Sequence, residues 1–285
     1  MLRSLLLLAA LGLALTPTSS AQTRAGDAPR PSPNARVGQT FGLTDVDITY
    51  GRPATRDRSL FASGSDLAPY GEMWRAGANE ATTITFSTDV LVEGQPLAAG
   101  TYALFVKPEA SDWTVYFNRE ANQWGAFGYD AERDAARVTV APETSAEMVE
   151  QMQFRIADAS NEGATIYLEW GTTRLPIEVT ADFARALTDR ANAADTWQSL
   201  MTYAMIASQN SMDPEVTLPW IERAVAMDGN FNTHRAHAMI LANYGDYEGA
   251  VAAADLALGM IDDVSEQNVN RLTASREQWM AALEN

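Results

Sequence analysis

The sequence predicts a mixed chain of two parts, an antiparallel β-sandwich followed by an α-helical region of tetratricopeptide-like hairpins. Three observations carry this. Apolar residues recur with period two from about residue 36 to residue 180, which places them on one face of successive strands. Short Gly-, Pro- and Asn-bearing turns separate those runs at hairpin spacing. After Thr180 the apolar period becomes helical and the β-branched runs cease.

The elements follow in order. Arg3 gives a short positive start, residues 5–15 are wholly Leu, Ala and Gly, and Ser19-Ser20-Ala21 supplies small residues before Gln22. This is the pattern of a secretory leader over residues 1–21. The apolar run is shorter than the roughly 20 residues that cross a bilayer, so no stable membrane insertion is expected after cleavage. Residues 22–35, rich in Pro, Ser, Ala and Arg, read as a flexible linker.

The sandwich is expected over residues 36–180. Val46, Ile48 and Tyr50 alternate with Asp47 and Thr49, and Ile84 and Phe86 with Thr83 and Thr85. Tyr102, Leu104 and Val106 continue the pattern, as do Trp113, Val115 and Phe117, then Val138 and Val140. Phe154 with Ile156, the set Ile166, Leu168 and Trp170, and Ile177 with Val179 complete eight or nine strands. Glu93-Gly94-Gln95-Pro96, Ala99-Gly100 and Asn161-Glu162-Gly163 are turn chemistry. Residues 52–79 break the rhythm as a long excursion, and long loops on a rigid sheet are where binding groups collect.

The helical region is expected over residues 181–285, with breaks at 208–213, 228–230 and 244–246. Residues 218–227 resemble the second helix of a tetratricopeptide unit. Gly245, Tyr247, Ala250, Ala254 and Ala257 fall where that repeat puts small and aromatic residues, and Ala224 to Ala257 is a step of 33 against a period of about 34. At most two degenerate repeats are expected, packed against the sandwich, as a stabilising appendage or as a surface for a protein partner.

Composition excludes several classes. With no cysteine there is no disulfide scaffold, thiol nucleophile or Cys-ligated metal. The 37 acids against 20 bases give a formal −17, and loss of the leader removes Arg3 and no acid, moving it to −18. Such a surface repels phosphate, so nucleic acid is not an expected partner. Only Lys107 among the bases is not arginine. Phosphate loops, dinucleotide fingerprints and calcium loops are absent, so no cofactor is expected. His234 and His237 form His-x-x-His without a matching second half, and they sit where such a helix packs, so no metal is expected either.

Candidate site residues gather between Tyr50 and Thr82 and again between Phe117 and Tyr129. The chain reads Tyr50-Gly51-Arg52-Pro53, then Pro69-Tyr70-Gly71-Glu72-Met73-Trp74-Arg75-Ala76-Gly77-Ala78-Asn79-Glu80-Ala81-Thr82. Ala99-Gly100-Thr101-Tyr102, Trp113-Thr114-Val115, Phe117-Asn118 and Asn122-Gln123-Trp124-Gly125 follow. This order resembles the bacterial domain of unknown function 2911 family, from about residue 33 to residue 180, and many relatives carry a similar helical tail. The resemblance implies an exported bacterial protein with an all-β core, periplasmic or extracellular. It brings no activity and no catalytic residue.

Read physically, Arg52, Arg58 and Arg75 are guanidinium forks suited to carboxylate, sulfate or phosphate oxygens. Tyr70, Trp74 and Trp124 are flat walls for a sugar or peptide side chain, and Asn79, Glu80 and Asn118 add amides and a carboxylate. Arg56 falls outside the motif positions and is left out. The favoured expectation is a ligand-binding module for an anionic or carbohydrate ligand. Equally consistent with the sequence is a structural role, with Arg75 paired to Glu80 or Glu72 and the two tryptophans in the core. A glycan or peptide hydrolase using Glu80 is a further alternative. The balance is against catalysis, because no Gly-x-Ser-x-Gly elbow is present and both histidines lie in the helical tail. A cell-envelope interaction module working through the helical repeats is the last.

Overall fold

A computed structural model describes residues 29–284. The leader expected over residues 1–21 and the first half of the linker lie outside the described residues. Ten strands come first: β1 (Asn34–Phe41), β2 (Thr44–Gly51), β3 (Thr82–Phe86), β4 (Val90–Val92), β5 (Gln95–Leu97), β6 (Gly100–Lys107), β7 (Trp113–Asn118), β8 (Asp134–Val140), β9 (Glu143–Ala157) and β10 (Gly163–Thr180). They build two antiparallel sheets, of order β1-β2-β3-β6-β7-β8 and β5-β4-β10-β9.

Alternation decides what each sheet buries. Val46, Ile48 and Tyr50 of β2, Ile84 and Phe86 of β3, and Val115 and Phe117 of β7 are buried, as are Phe154 of β9 and Ile166, Leu168 and Trp170 of β10. Rings join the two sheets. Tyr50 meets Phe154 edge-on at 5.0 Å, and Trp74 stacks on Trp170 at 5.8 Å. Phe61 touches Trp74, Trp113 and Trp170, so part of the excursion closes the core with an aromatic cluster.

The six-stranded sheet also buries its outer face. Ala81, Ala103 and Phe105 form a small apolar layer covered by Met73, Tyr116, Ala126 and Tyr129. Ala126 and Tyr129 of this cover belong to the connection between β7 and β8, residues 119–133. It is fastened at its root, where the Asn118 amide donates to Asp130 O and Asp134 Oδ1 at 2.8 Å and the Tyr129 hydroxyl donates to Asp134 Oδ2 at 2.6 Å. Burial first, then the hydrogen bond to and charge of Asp134, raise the Tyr129 pKa, so the phenol stays protonated.

One departure from the expected strands has a local cause, and one expected turn has the conformation its residues favour. The predicted linker does not reach residue 35. β1 begins at Asn34 and pairs with β2 across a two-residue turn at Gly42-Leu43, and its mostly exposed residues leave no apolar alternation to read. Residues 29–33 are hydrogen-bonded to the sandwich, as described below. Between β4 and β5, Glu93 and Gly94 both take positive φ, 48° and 75°, with Val92 facing Gln95. That is a two-residue type I′ hairpin at the expected turn.

The second compact unit starts at Ala181. It holds α1 (Phe183–Ala193), α2 (Trp197–Gln209), α3 (Pro214–Met227), α4 (Phe231–Asn243), α5 (Tyr247–Leu258) and α6 (Glu266–Leu283). Helix neighbours in sequence pack on one another, and α2 also meets α4, as in stacked helical hairpins. Asp182, Thr196, Asp213, Asn230 and Asp246 cap the first five helices through their side chains. Ala250, Ala253, Ala254 and Ala257 of α5 are buried with Phe231, Leu241 and Leu272, so small side chains mark the helix contacts. No described helix is long and apolar enough to cross a membrane.

Candidate functional site

The site is built by a loop that needs glycine. Residues 75–82 cross the end of β2, and Ala78 N donates to Gly51 O at 3.1 Å. A Cβ on Gly51 would stand 2.1 Å from Ala78 O, and one on Gly77 would stand 2.9 Å from Gly51 O. Only hydrogen at both positions permits this crossing. The loop closes on itself where Thr82 N donates to Arg75 O, the Thr82 hydroxyl to Ala76 O and the Trp74 indole to Gly77 O.

A second lane lies alongside. Ala81 N donates to Gln123 O at 3.0 Å, Gly125 N donates to Asn79 O at 3.1 Å, and Glu80 bridges Trp124 in antiparallel fashion. Asn79, Glu80 and Trp124, up to 45 positions apart, thus share one short backbone ladder, and Arg75 begins the loop that leads into it.

A third lane is the strap of residues 29–33. Arg30 Nη1 sits between the two Glu80 carboxylate oxygens at 3.0 and 2.8 Å, and Glu80 is only 4% exposed. The Arg30 guanidinium carbon also stands 6.0 Å from the centre of the Trp124 ring, which is 57% exposed. The main chain of the strap is held too. Pro31 O accepts from Arg56 Nη2, Ser32 O from the Asn79 amide, and Pro33 O from Arg52 N, at 3.2, 3.0 and 2.8 Å.

Of the nine expected site residues, Asn79, Glu80 and Trp124 come together, and Arg75 starts the loop that Thr82 closes beside them. The other five serve elsewhere. Arg52 Nε donates to Met152 O and its Nη2 to the Gln153 amide oxygen, tying β2 to β9. Arg58 donates to Thr55 O and Ala54 O within its own loop. Trp74 is buried on Trp170. Asn118 is fully buried at the root of the β7–β8 connection. Tyr70 lines a separate cleft of about 480 Å³ with Phe61, Asp112 and Thr144.

The expected pairing of Arg75 with Glu80 or Glu72 is not formed, since Arg30 takes that place on Glu80. Arg75 is half-buried, its Nε is buried without a hydrogen-bond partner, and burial pulls its pKa down. Sequence reasoning missed Arg30 and Phe127. Arg30 was hidden in the presumed linker, although a base between prolines in an acid-rich chain was a signal. Phe127 is 92% exposed and lies over Gly125, whose Cβ would meet its ring at 2.9 Å. A cleft of about 670 Å³ with Glu93, Glu143, Asp158, Glu162 and Glu178 on its walls involves none of the nine.

The family described as Protein of unknown function (DUF2911) matches residues 32–179. The chain belongs to this family. The DUF2911 match begins at Ser32 in the strap and ends one residue before β10 does, so it coincides with the sandwich and excludes the helices. Arg75, Asn79, Glu80, Trp124 and Phe127 all lie inside the DUF2911 domain, and Arg30 stands two residues before it. No curated protein and no solved structure matches the chain.

Proposed function

We propose that the chain is an exported ligand-binding module whose DUF2911 domain receives an anionic or carbohydrate ligand through Arg75, Trp124 and Phe127. The observation that carries this reading is Arg75. Arg52 and Arg58 spend their guanidinium groups on internal acceptors, whereas Arg75 keeps a half-buried guanidinium whose Nε has no partner. A cation held in that state against the cost of burial is suited to an anion arriving from outside. The exposed rings of Trp124 and Phe127 are flat apolar surfaces of the kind sugars stack on. Export rests on the leader pattern of residues 1–21 and on the composition.

The test is a thermal-shift comparison of uronate-bearing and neutral oligosaccharides. A ligand at a hundred times its Kd stabilises the native state by about 2.7 kcal/mol, which is readily seen as a raised melting point. The acidic sugar is expected to raise the melting point of the wild type and to leave Arg75→Gln and Trp124→Ala unmoved. An equal shift in all three proteins, or none in the wild type, overturns the reading.

Hydrolysis through Glu80 is less well supported. Both of its oxygens receive Arg30, so the carboxylate is neither a free base nor a proton donor while the strap is in place. The helical unit as an interaction surface draws support from the exposed side chains of Met227, Leu256, Met260 and Ile261. Substituting Leu256 and Ile261 by serine in the whole chain is expected to weaken such an interaction while leaving the oligosaccharide response intact.

A further inference from the structure

The strap is bound the way a peptide ligand is bound. Residues 29–33 read Pro-Arg-Pro-Ser-Pro. Three prolines in five residues fix an extended backbone and remove three N–H donors, so at those positions the segment can accept from a sheet ladder but cannot donate to it. What it can offer is carbonyl oxygens and one cationic side chain, and the domain takes both. Three successive carbonyls, of Pro31, Ser32 and Pro33, each meet a donor from a loop of the sandwich. Arg30 enters between the buried Glu80 carboxylate and the Trp124 ring.

The receiving side does not depend on the strap for its shape. Glu80 is positioned by its backbone bridge to Trp124, by Ala81 N on Gln123 O and by the closure of Thr82 onto Arg75. Lifting the strap leaves that frame in place and leaves a buried carboxylate that has lost this counter-cation. Taking a counter-cation away from a buried carboxylate is costly, so the open pocket favours a replacement cation. The Trp124 face selects a planar guanidinium over a compact ammonium.

We propose that Glu80 and Trp124 form a guanidinium-recognition site, filled in cis by Arg30, that takes an arginine-bearing, proline-flanked polypeptide segment in trans when the strap lifts. The site is distinct in chemistry from the anion reading of Arg75 and stands without it. Tethering gives the strap an effective concentration of order millimolar, so a free peptide competes poorly while Arg30 is present. Removing the Arg30 side chain removes the competitor.

The probe is the capped peptide Pro-Arg-Pro-Ser-Pro, titrated calorimetrically into the whole chain. Binding to Arg30→Ala is expected to be at least about ten-fold tighter than to the wild type. Adding Glu80→Gln to Arg30→Ala is expected to abolish it, and the lysine analogue of the peptide is expected to bind at least about five-fold more weakly. Equal binding to wild type and Arg30→Ala overturns the proposal, as does undiminished binding to the double variant. Absence of binding to a folded Arg30→Ala chain also overturns it. Should Arg30→Ala lose its cooperative melt, Arg30→Gln, which keeps the side-chain length without the charge, takes its place under the same criteria. Arg75→Gln is expected to bind the peptide as its parent does, so failure here and failure of the oligosaccharide reading are told apart.

Discussion

Arg75 and the two histidines show how much a single side chain carries in this chain. A partly buried polar group without a partner costs stability, typically about 1–3 kcal/mol when fully buried and less where water reaches it. Replacing Arg75 by Met keeps the volume and removes the charge. The expected outcome is a gain of about 1 kcal/mol in urea unfolding, together with loss of any response to acidic oligosaccharide. His234 is buried with Nδ1 unpartnered, and burial lowers its pKa. His237 is lowered as well, by burial first, against the opposing pull of Glu222 and Asp246. A base with a lowered folded pKa is held neutral by the fold. Its contribution is therefore full above the unfolded value of about 6.5 and is lost as pH falls below it. Far-ultraviolet dichroism is expected to show the helical melt moving down as pH falls below about 6.5, and His234→Leu is expected to flatten that decline. The residue scale is also where the sequence was least readable. Arg52, Arg58 and Arg75 look alike in sequence, yet the Arg52 acceptors lie 100 and 101 positions away on β9. Which guanidinium is left over is decided by contacts that no local pattern encodes.

At the scale of elements, local chemistry decided what was legible. The Glu93-Gly94 turn and the helix starts at Asp213, Asn230 and Asp246 follow from short-range rules, and the structure has them there. At Asn230 the side chain accepts from the backbone of Asn232 and Thr233, and the Thr233 hydroxyl accepts from Asn230 N. Asn230→Ala is expected to cost about 1 kcal/mol, read as a lowered denaturation midpoint of the helical unit. The strap was misread for a physical reason. Prolines in a sequence read as looseness, whereas a chain that cannot donate to a neighbouring strand can still be fastened by its carbonyls. β1 was equally hidden, because most of its residues face solvent and its hydrogen bonds to β2 leave no apolar trace.

At the scale of the whole molecule, charge is the dominant fact. The helical unit, residues 181–285, carries 15 acids and 6 arginines, a formal −9, so the acidity is not confined to the sandwich. Self-repulsion of this size opposes compaction and is screened within a Debye length of about 10 Å at 0.1 M salt. The melting temperature is accordingly expected to rise between about 0.01 and 0.15 M sodium chloride. A fall over that range would show that ion pairs such as Arg276 with Asp255, and not net repulsion, set the response. The division into two units was legible from the change of apolar period at Thr180, because periodicity is a long-range average that survives local misreading.

The partnership of Glu80 with Arg30 spans fifty positions, and its cationic half lies a few residues before the first strand. That places a limit on ragged processing. A product trimmed just past Arg30 keeps all ten strands and every ring of the core, and it would pass as intact by size and by spectrum. It would nonetheless carry an acidic hole in the domain wall that the untrimmed chain does not have. Batches of uneven N-terminus would then differ in what they adsorb, although nothing in their folded core had changed.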